Sequence, residues 1–118
     1  MNNYQTQNLA LKDLRVLDLT QVAVGPYTTF LLGFMGAEVI KVESTSRMDI
    51  SRGQARPTPQ GYRVYPDNDP DERPWNRAGH HVHRNPNKLS VTLDLSTDRG
   101  KELCKRLATV CDVLIENF

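Results

Sequence analysis

Long apolar runs are missing from this sequence of 118 residues, and apolar residues make up only 38% of it. No stretch approaches the roughly 20 apolar residues that a membrane-spanning helix needs. The polar start MNNYQTQN has neither the charged region nor the apolar region of a signal peptide. We therefore expect a cytoplasmic protein with no membrane partner, and the length allows one domain at most.

The sequence also has little net charge and few cysteines. Lysine plus arginine (15) nearly balance aspartate plus glutamate (14), so no strong field attracts a nucleic acid, and a small molecule is the expected partner. Cys104 and Cys111 are the only cysteines. Their spacing of seven in a helical stretch favours two packed thiols over a disulfide or a pair of metal ligands.

The first half contains a pattern of strand, helix and strand. Residues 14–20 are apolar on both faces, which is typical of a parallel strand covered by helices on both sides. Proline is favoured at the first helical position, so we predict a helix that begins at Pro26 and ends at Gly36. Residues 39–42 predict the second strand.

The second half repeats the pattern. Residues 88–95 alternate between apolar and polar side chains, which predicts a strand with one buried face. Residues 96–98 offer capping signals for a helix, and residues 112–116 predict a further strand. The inner stripe of that helix is expected to be Gly100, Leu103, Cys104 and Leu107. The order of elements predicts an α/β fold, a Rossmann-like parallel sheet with helices on both faces in three layers.

Between the two halves, residues 44–87 lack periodicity and hold most of the prolines and arginines. We call this stretch the 44–87 segment. So long a connection is uncommon in a compact domain, and it indicates either a functional surface or a solvated insertion.

Ligands of open parallel sheets bind outside the carboxyl ends of the strands. Here those ends are residues 21–25, Glu43 with Ser44, Leu95 with Ser96, and Asn117 with Phe118. The first of them leads into a helix N-terminus, which favours a phosphate or a carboxylate. A dinucleotide is not favoured, because the chain lacks the G-x-G-x-x-G spacing although Glu43 lies where an acidic residue would hold a ribose.

Two other candidate sites are weaker. His80, His81 and His83 lie near three aspartates, but their spacing fixes no coordination geometry, so we expect no metal. Asp18 is expected inside the first strand as a structural carboxylate, which needs hydrogen-bond partners when it is buried. No catalytic residue is predicted in this chain.

Two stretches together resemble a known family. VLDLTQVAVGPYTTFLLGFMGAEVIKVE and NKLSVTLDLSTDRGKELCKRLATVCDVLIENF resemble the N-terminal part of the family III CoA-transferases, which include formyl-CoA transferase and carnitine CoA-transferases. The resemblance covers residues 11–43 and 85–118, and leaves the 44–87 segment as an enlarged, unmatched insertion. It implies that residues 1–118 are the incomplete N-terminal portion of a larger CoA-transferase fold.

The resemblance also implies a reaction, in which CoA moves from an acyl-CoA donor to a carboxylic acid. The nucleophile would be an aspartate beyond Phe118, so the chain alone should be inactive. CoA would be a substrate, no resident cofactor is expected, and the complete protein would be a homodimer. The alternative is a non-catalytic nucleotide-binding or interaction module of the same fold.

The CoA contacts that the resemblance implies fall in three places, at Val22, Ala23 and Val24, at Leu93 and Ser96, and at Asn117 and Phe118. Two positions depart from the family. Ser44 stands where some members have an arginine, and Arg47 or Arg52 could replace that charge. Ala23 stands where formyl-CoA transferase has a glutamine, so specificity for formate or oxalate is not implied.

Overall fold

The computed structural model describes residues 9–53 and 58–118, and its centre is a parallel sheet of four strands. The strands are β1 (Arg15–Asp18), β2 (Glu38–Glu43), β3 (Lys88–Thr92) and β4 (Val113–Ile115), in the spatial order β3-β2-β1-β4. Leu17 in β1 pairs with Ile40 of β2 on one side and with Leu114 of β4 on the other. The predicted parallel α/β sheet is confirmed.

The helices are α1 (Val24–Phe34), α2 (Gly79–Arg84) and α3 (Asp98–Ala108). α1 connects β1 to β2, and α3 carries the chain from β3 back across the sheet to β4. These two crossovers run in opposite directions. Because such connections are right-handed, α1 and α3 lie on opposite faces of the sheet.

The predicted start of α1 was two residues late. The helix begins at Val24, with Ala23 as its N-cap, and Pro26 is its third residue. Proline is tolerated there because the first N–H groups of a helix have no partner within the helix. The predicted stop is confirmed, since Gly36 follows the helix with φ of +109°.

The capping and stripe predictions for α3 are confirmed. Thr97 is the N-cap, and its hydroxyl accepts a hydrogen bond from the Gly100 N–H at 3.0 Å. Gly100 is buried, and Leu103, Cys104 and Leu107 are half-buried. Both cysteines are free thiols, and burial raises the pKa of each.

Two strand predictions need correction. β1 ends at Asp18, so this carboxylate is the last residue of the strand and does not lie inside it. The predicted buried face of residues 88–95 is also incomplete, because Leu89 is 56% exposed. β3 is an edge strand of the sheet, so Leu89 lacks the neighbouring strand that would help to cover it.

The core lies around β1 and β2, where Val16, Ala37 and Val39 are buried. The 44–87 segment is packed as well, since Tyr65 is 4% exposed and Ala78 is fully buried. Its described residues form α2 and the 3-10 turns Ile50–Arg52, Pro59–Val64, Pro66–Asn68 and Pro74–Asn76. Part of the segment is attached to the sheet, because Arg52 forms an ion pair with Glu43 of β2.

Within residues 9–53 and 58–118, none of the helices has the length and apolar character needed to cross a bilayer.

Candidate functional site

A cavity of about 450 Å³ opens at the carboxyl ends of the strands. All four strand ends predicted from the sequence contribute to its wall, through Gln21, Glu43, Ser44, Leu95, Ser96 and Phe118. From β1 the chain continues to its neighbour β2, whereas the neighbour on the other side, β4, is reached only later, from β3. The order of the strands therefore changes direction next to β1, and the cavity lies at that edge of the sheet. This is the place where open α/β sheets bind ligands.

The structure brings together only part of the predicted contact set. Leu93, Ser96 and Phe118 line the cavity, and Phe118 is 80% exposed. Val22, Ala23 and Val24 lie at the entrance to α1 and form no part of the cavity wall. Six of the seven predicted residues thus form two groups, one on the cavity wall and one at the start of α1, and Asn117 belongs to neither.

Asn117 connects the ends of β1 and β4. Its side-chain oxygen accepts a hydrogen bond from the Gln21 N–H at 2.9 Å, and its side-chain nitrogen donates to the Gln21 carbonyl at 3.0 Å. Both ends of the amide are therefore engaged with backbone. In this structure Asn117 holds the loop after β1 rather than pointing a free amide at the cavity.

The backbone of Val22 is held by the 44–87 segment. Its N–H lies 3.2 Å from each carboxylate oxygen of Asp49, and its carbonyl accepts a hydrogen bond from Arg84 Nη1 at 3.3 Å. Asp49 is only 7% exposed. Val24, in contrast, is 79% exposed, so the segment that leads into α1 is held at one end and open to solvent at the other.

The two arginines proposed to replace the missing charge differ in availability. Arg52 forms a bidentate ion pair with Glu43, at 2.8 Å for both contacts, and also donates to the Trp75 carbonyl at 2.7 Å. Arg47 lines the cavity and is exposed, and its guanidinium has no hydrogen bond or ion pair within the described part of the chain. Arg47 is therefore the cation that a ligand in the cavity can reach.

Glu43 is committed to protein partners. Burial would raise its pKa, but Arg52 and a 2.6 Å hydrogen bond from Ser90 lower the pKa to about 2. It is ionised at neutral pH. A carboxylate that is already paired in this way is a structural anchor between β2 and the 44–87 segment, and it is a poor general base.

His81 belongs to the same cluster and is the buried member of the predicted histidine group. Its Nε2 lies 3.9 Å from Glu43 and its Nδ1 lies 3.2 Å from the Ser51 hydroxyl. Burial and the nearby charge of Arg52 lower its pKa to about 4, so the ring is neutral at pH 7. His80 and His83 are exposed, and in the described ranges no three histidine, cysteine or acidic side chains are placed to hold a metal ion.

Asp18 is fully buried and has several partners, as expected for a structural carboxylate. Lys88 Nζ lies 3.0 Å from it, and Thr20 and Thr29 donate hydroxyl hydrogen bonds to it at 2.5 and 2.7 Å. Burial opposes ionisation, but the charge of Lys41 and these hydrogen bonds outweigh it and lower the pKa. Asp18 therefore holds β1, α1 and β3 together.

A second cavity, of about 430 Å³, was missed by sequence reasoning. It shares Glu43 and Ser44 with the first and is closed on the other side by Met48 and Trp75 of the 44–87 segment. The only tryptophan of the chain, in an otherwise polar stretch, was the one signal that could have indicated a packed wall there.

Comparison with known proteins identifies the family. Residues 11–118 match the sequence model of CoA-transferase family III. A formyl-CoA:oxalate CoA-transferase of Rhodopseudomonas palustris is 41% identical over 109 residues, and one of Afipia carboxidovorans is 39% identical over the same length. Each comparison covers 92% of this chain and 22% of the relative.

Solved structures agree. A CAIB/BAIF family protein from Brucella suis superposes with a TM-score of 0.70 at 34% identity, over 95% of this chain and 26% of that one. A hypothetical protein from Mycobacterium tuberculosis superposes with a TM-score of 0.70 at 33% identity, over 94% and 26% of the two chains. The chain thus spans about a quarter or less of the proteins that it matches, and it belongs to the family III CoA-transferases.

Proposed function

We propose that this chain supplies part of the CoA-binding site of an enzyme that moves CoA from an acyl-CoA donor to a carboxylic acid. The observation that carries the proposal is the cavity at the carboxyl ends of the four strands, with Arg47 unpaired on its wall among the described residues. Membership in family III supports CoA as the ligand.

The chemistry of CoA suits the lining. Its phosphates need a cation, and a guanidinium can donate two parallel hydrogen bonds to one phosphate. Arg47 takes the place of the arginine that some members carry at the position of Ser44. Leu93, Leu95 and Phe118 offer apolar surface beside it, which matches the mixed lining of small-molecule sites.

The reactive end of the ligand is proposed to lie near Val22, Ala23 and Val24. The nucleophile is proposed to be an aspartate outside this chain. Its carboxylate attacks the acyl thioester and expels the CoA thiolate, which leaves a mixed anhydride. The thiolate then attacks the aspartyl carbonyl of that anhydride, which gives an enzyme thioester and a free acid, and the acceptor acid takes CoA by the reverse steps. CoA is thus a substrate, and no resident cofactor takes part.

The relatives named above are formyl-CoA:oxalate CoA-transferases, but Ala23 replaces the glutamine of formyl-CoA transferase. We therefore propose a carboxylic acid acceptor without assigning oxalate. We also propose that the full-length protein works as a homodimer in the cytoplasm, which light scattering and fractionation can check.

The test is a calorimetric titration of the full-length gene product with CoA, with NAD as the control ligand. The unsubstituted protein should bind CoA and give no response to NAD. Arg47→Ala should weaken CoA binding about tenfold, the range expected for a lost charge-assisted hydrogen bond. Arg106→Ala is the matched control, because Arg106 is an exposed arginine near the far end of α3 from Ser96, and it should leave the affinity unchanged.

Two results would overturn the proposal. NAD binding without CoA binding would favour the non-catalytic nucleotide module. Equal loss of CoA affinity in the Arg47 and Arg106 variants would show that the effect is general charge and not contact with the cavity.

A further inference from the structure

We propose that Asp49 is a positioning residue, which fixes the backbone of Val22 and thereby the segment that leads from β1 into α1. This inference rests on the proposed function, in which residues 22–24 border bound CoA. It assigns a role to the 44–87 segment, which lies within the range that the family model matches.

Val22 has an unfavourable backbone conformation. Its φ is +70°, in the left-handed region. A β-branched residue is rarely found there, because its side chain crowds the backbone. Such a conformation persists only where surrounding contacts hold it. The contacts of Val22 must therefore stabilise its positive φ.

Those contacts come from the 44–87 segment on both sides of the residue. The Asp49 carboxylate accepts the Val22 N–H, and Arg84 donates to the Val22 carbonyl. Asp49 is itself fixed, because it is 7% exposed and also accepts the Ser51 N–H at 2.8 Å. Its second role is therefore to cap the 3-10 turn Ile50–Arg52.

The consequence for the site follows from the chain. Val22 directly precedes Ala23, the N-cap of α1, and Val24, its exposed first residue. When the backbone of Val22 is fixed, the direction in which these residues face is fixed too. Asp49 therefore acts on ligand binding without touching the ligand. The 44–87 segment, to which Asp49 belongs, sets the shape of the loop between β1 and α1.

Two substitutions separate the two roles of Asp49. Asp49→Ala removes both the contact with Val22 and the cap. Asp49→Ser keeps a capping hydroxyl, but its shorter side chain cannot reach the Val22 N–H. The matched control is Asp69→Ser, an exposed aspartate of the same segment that accepts the Asp71 N–H two positions on at 2.9 Å.

The first readout is hydrogen exchange in a peptide of the full-length protein that covers Val22, which does not depend on any ligand. Both Asp49 variants should exchange there at least tenfold faster, and the Asp69 variant should match the unsubstituted protein. The second readout is CoA affinity by calorimetry, which should fall about fivefold in Asp49→Ser.

Val22→Gly provides the rescue test, because glycine adopts positive φ without steric cost. In the Val22→Gly background, Asp49→Ser should cost no more than about twofold in CoA affinity. The same fivefold cost in both backgrounds, or unchanged exchange at Val22 in Asp49→Ser, would overturn the inference. If the unsubstituted protein binds no CoA, the proposed function fails and the CoA part of this inference fails with it, whereas normal CoA binding with unchanged exchange removes the positioning role alone.

Discussion

At the scale of single residues, Lys88 and Asp18 form a buried ion pair. Lys88, whose side chain is 2% exposed, donates to Asp18, Thr29, Asn85 and the Pro26 carbonyl. A buried ion pair gives little net stability compared with apolar packing, because both charges lose their water. Its effect here is geometric, since one ammonium group connects β1, α1, β3 and the residue after α2.

Acid sensitivity is predicted to begin at His81. Its pKa is lowered from 6.5 to about 4 by burial and Arg52, with Glu43 and Asp49 acting in the opposite direction and Lys41 adding to the lowering. As the pH falls below 6.5, His81 of the unfolded chain binds a proton, whereas His81 of the folded chain binds one only near pH 4. We expect the free energy of unfolding to fall by about 3 kcal/mol across that window.

Glu43 extends the loss to lower pH. Its pKa is lowered from 4.5 to about 2, so its stabilising effect is complete above pH 4.5 and is lost as the pH falls toward 2. Denaturant titrations at a series of pH values measure both steps. His81→Asn should flatten the step between pH 6.5 and 4 only, and His83→Asn, an exposed histidine of the same helix, should change neither. An unchanged slope in His81→Asn would contradict the assignment.

At the scale of elements, the approach of α1 to the end of β1 depends on a glycine. A Cβ added at Gly25 would meet the Cβ of Thr20 and lie 2.6 Å from its Cγ2. Thr20 cannot retreat easily, because it is fully buried and bonded to Asp18. Close contact at this point is what brings the helix N-terminus to the strand end.

Gly25→Ala should therefore lower the free energy of unfolding by about 1–3 kcal/mol, the usual cost of overpacking. Gly33→Ala is the control within the same helix, since its Cβ would lie 3.4 Å from Val39 Cγ2, near ordinary contact. It should be neutral or stabilise by up to about 1 kcal/mol, because alanine is the better helix former. Equal effects of the two substitutions in thermal unfolding would refute this account of Gly25.

The elements also show how far the sequence could predict the structure. Strand and helix periodicities indicated the sheet, and the rule for strand ends located the cavity, because both depend on local pattern. α2 was missed, since its six residues, GHHVHR, are too few to show a period. The contacts of Glu43 with Arg52 and of Val22 with Asp49 were missed because they depend on how the 44–87 segment folds back, which no local pattern encodes.

At the scale of the whole molecule, much apolar surface remains open. Phe34 is 69% exposed on α1, Leu114 is 48% exposed on β4, and Phe118 is 80% exposed. Small domains with a limited core are marginally stable. We expect the 118-residue chain by itself to unfold on heating, with a low midpoint temperature and a broad transition.

Ligand binding offers a measurement of this marginal stability. If the chain by itself retains the CoA site, CoA at about 100 times its dissociation constant should add about 2.7 kcal/mol to the free energy of unfolding. Scanning calorimetry with and without CoA measures the shift, and NAD at the same concentration should give none. A sharp transition at high temperature without ligand would contradict the prediction of marginal stability.

The strand order also determines how long one edge of β1 stays unpaired during synthesis. Leu17 of β1 pairs with Leu114 of β4, which is synthesised 97 residues later. At about 5–20 residues per second, translation leaves that edge of β1 without its neighbour for roughly 5–20 s. During this interval the nascent chain exposes an unpaired strand edge to other chains, so the growing polypeptide is most open to aggregation, and to chaperones, before β4 leaves the ribosome.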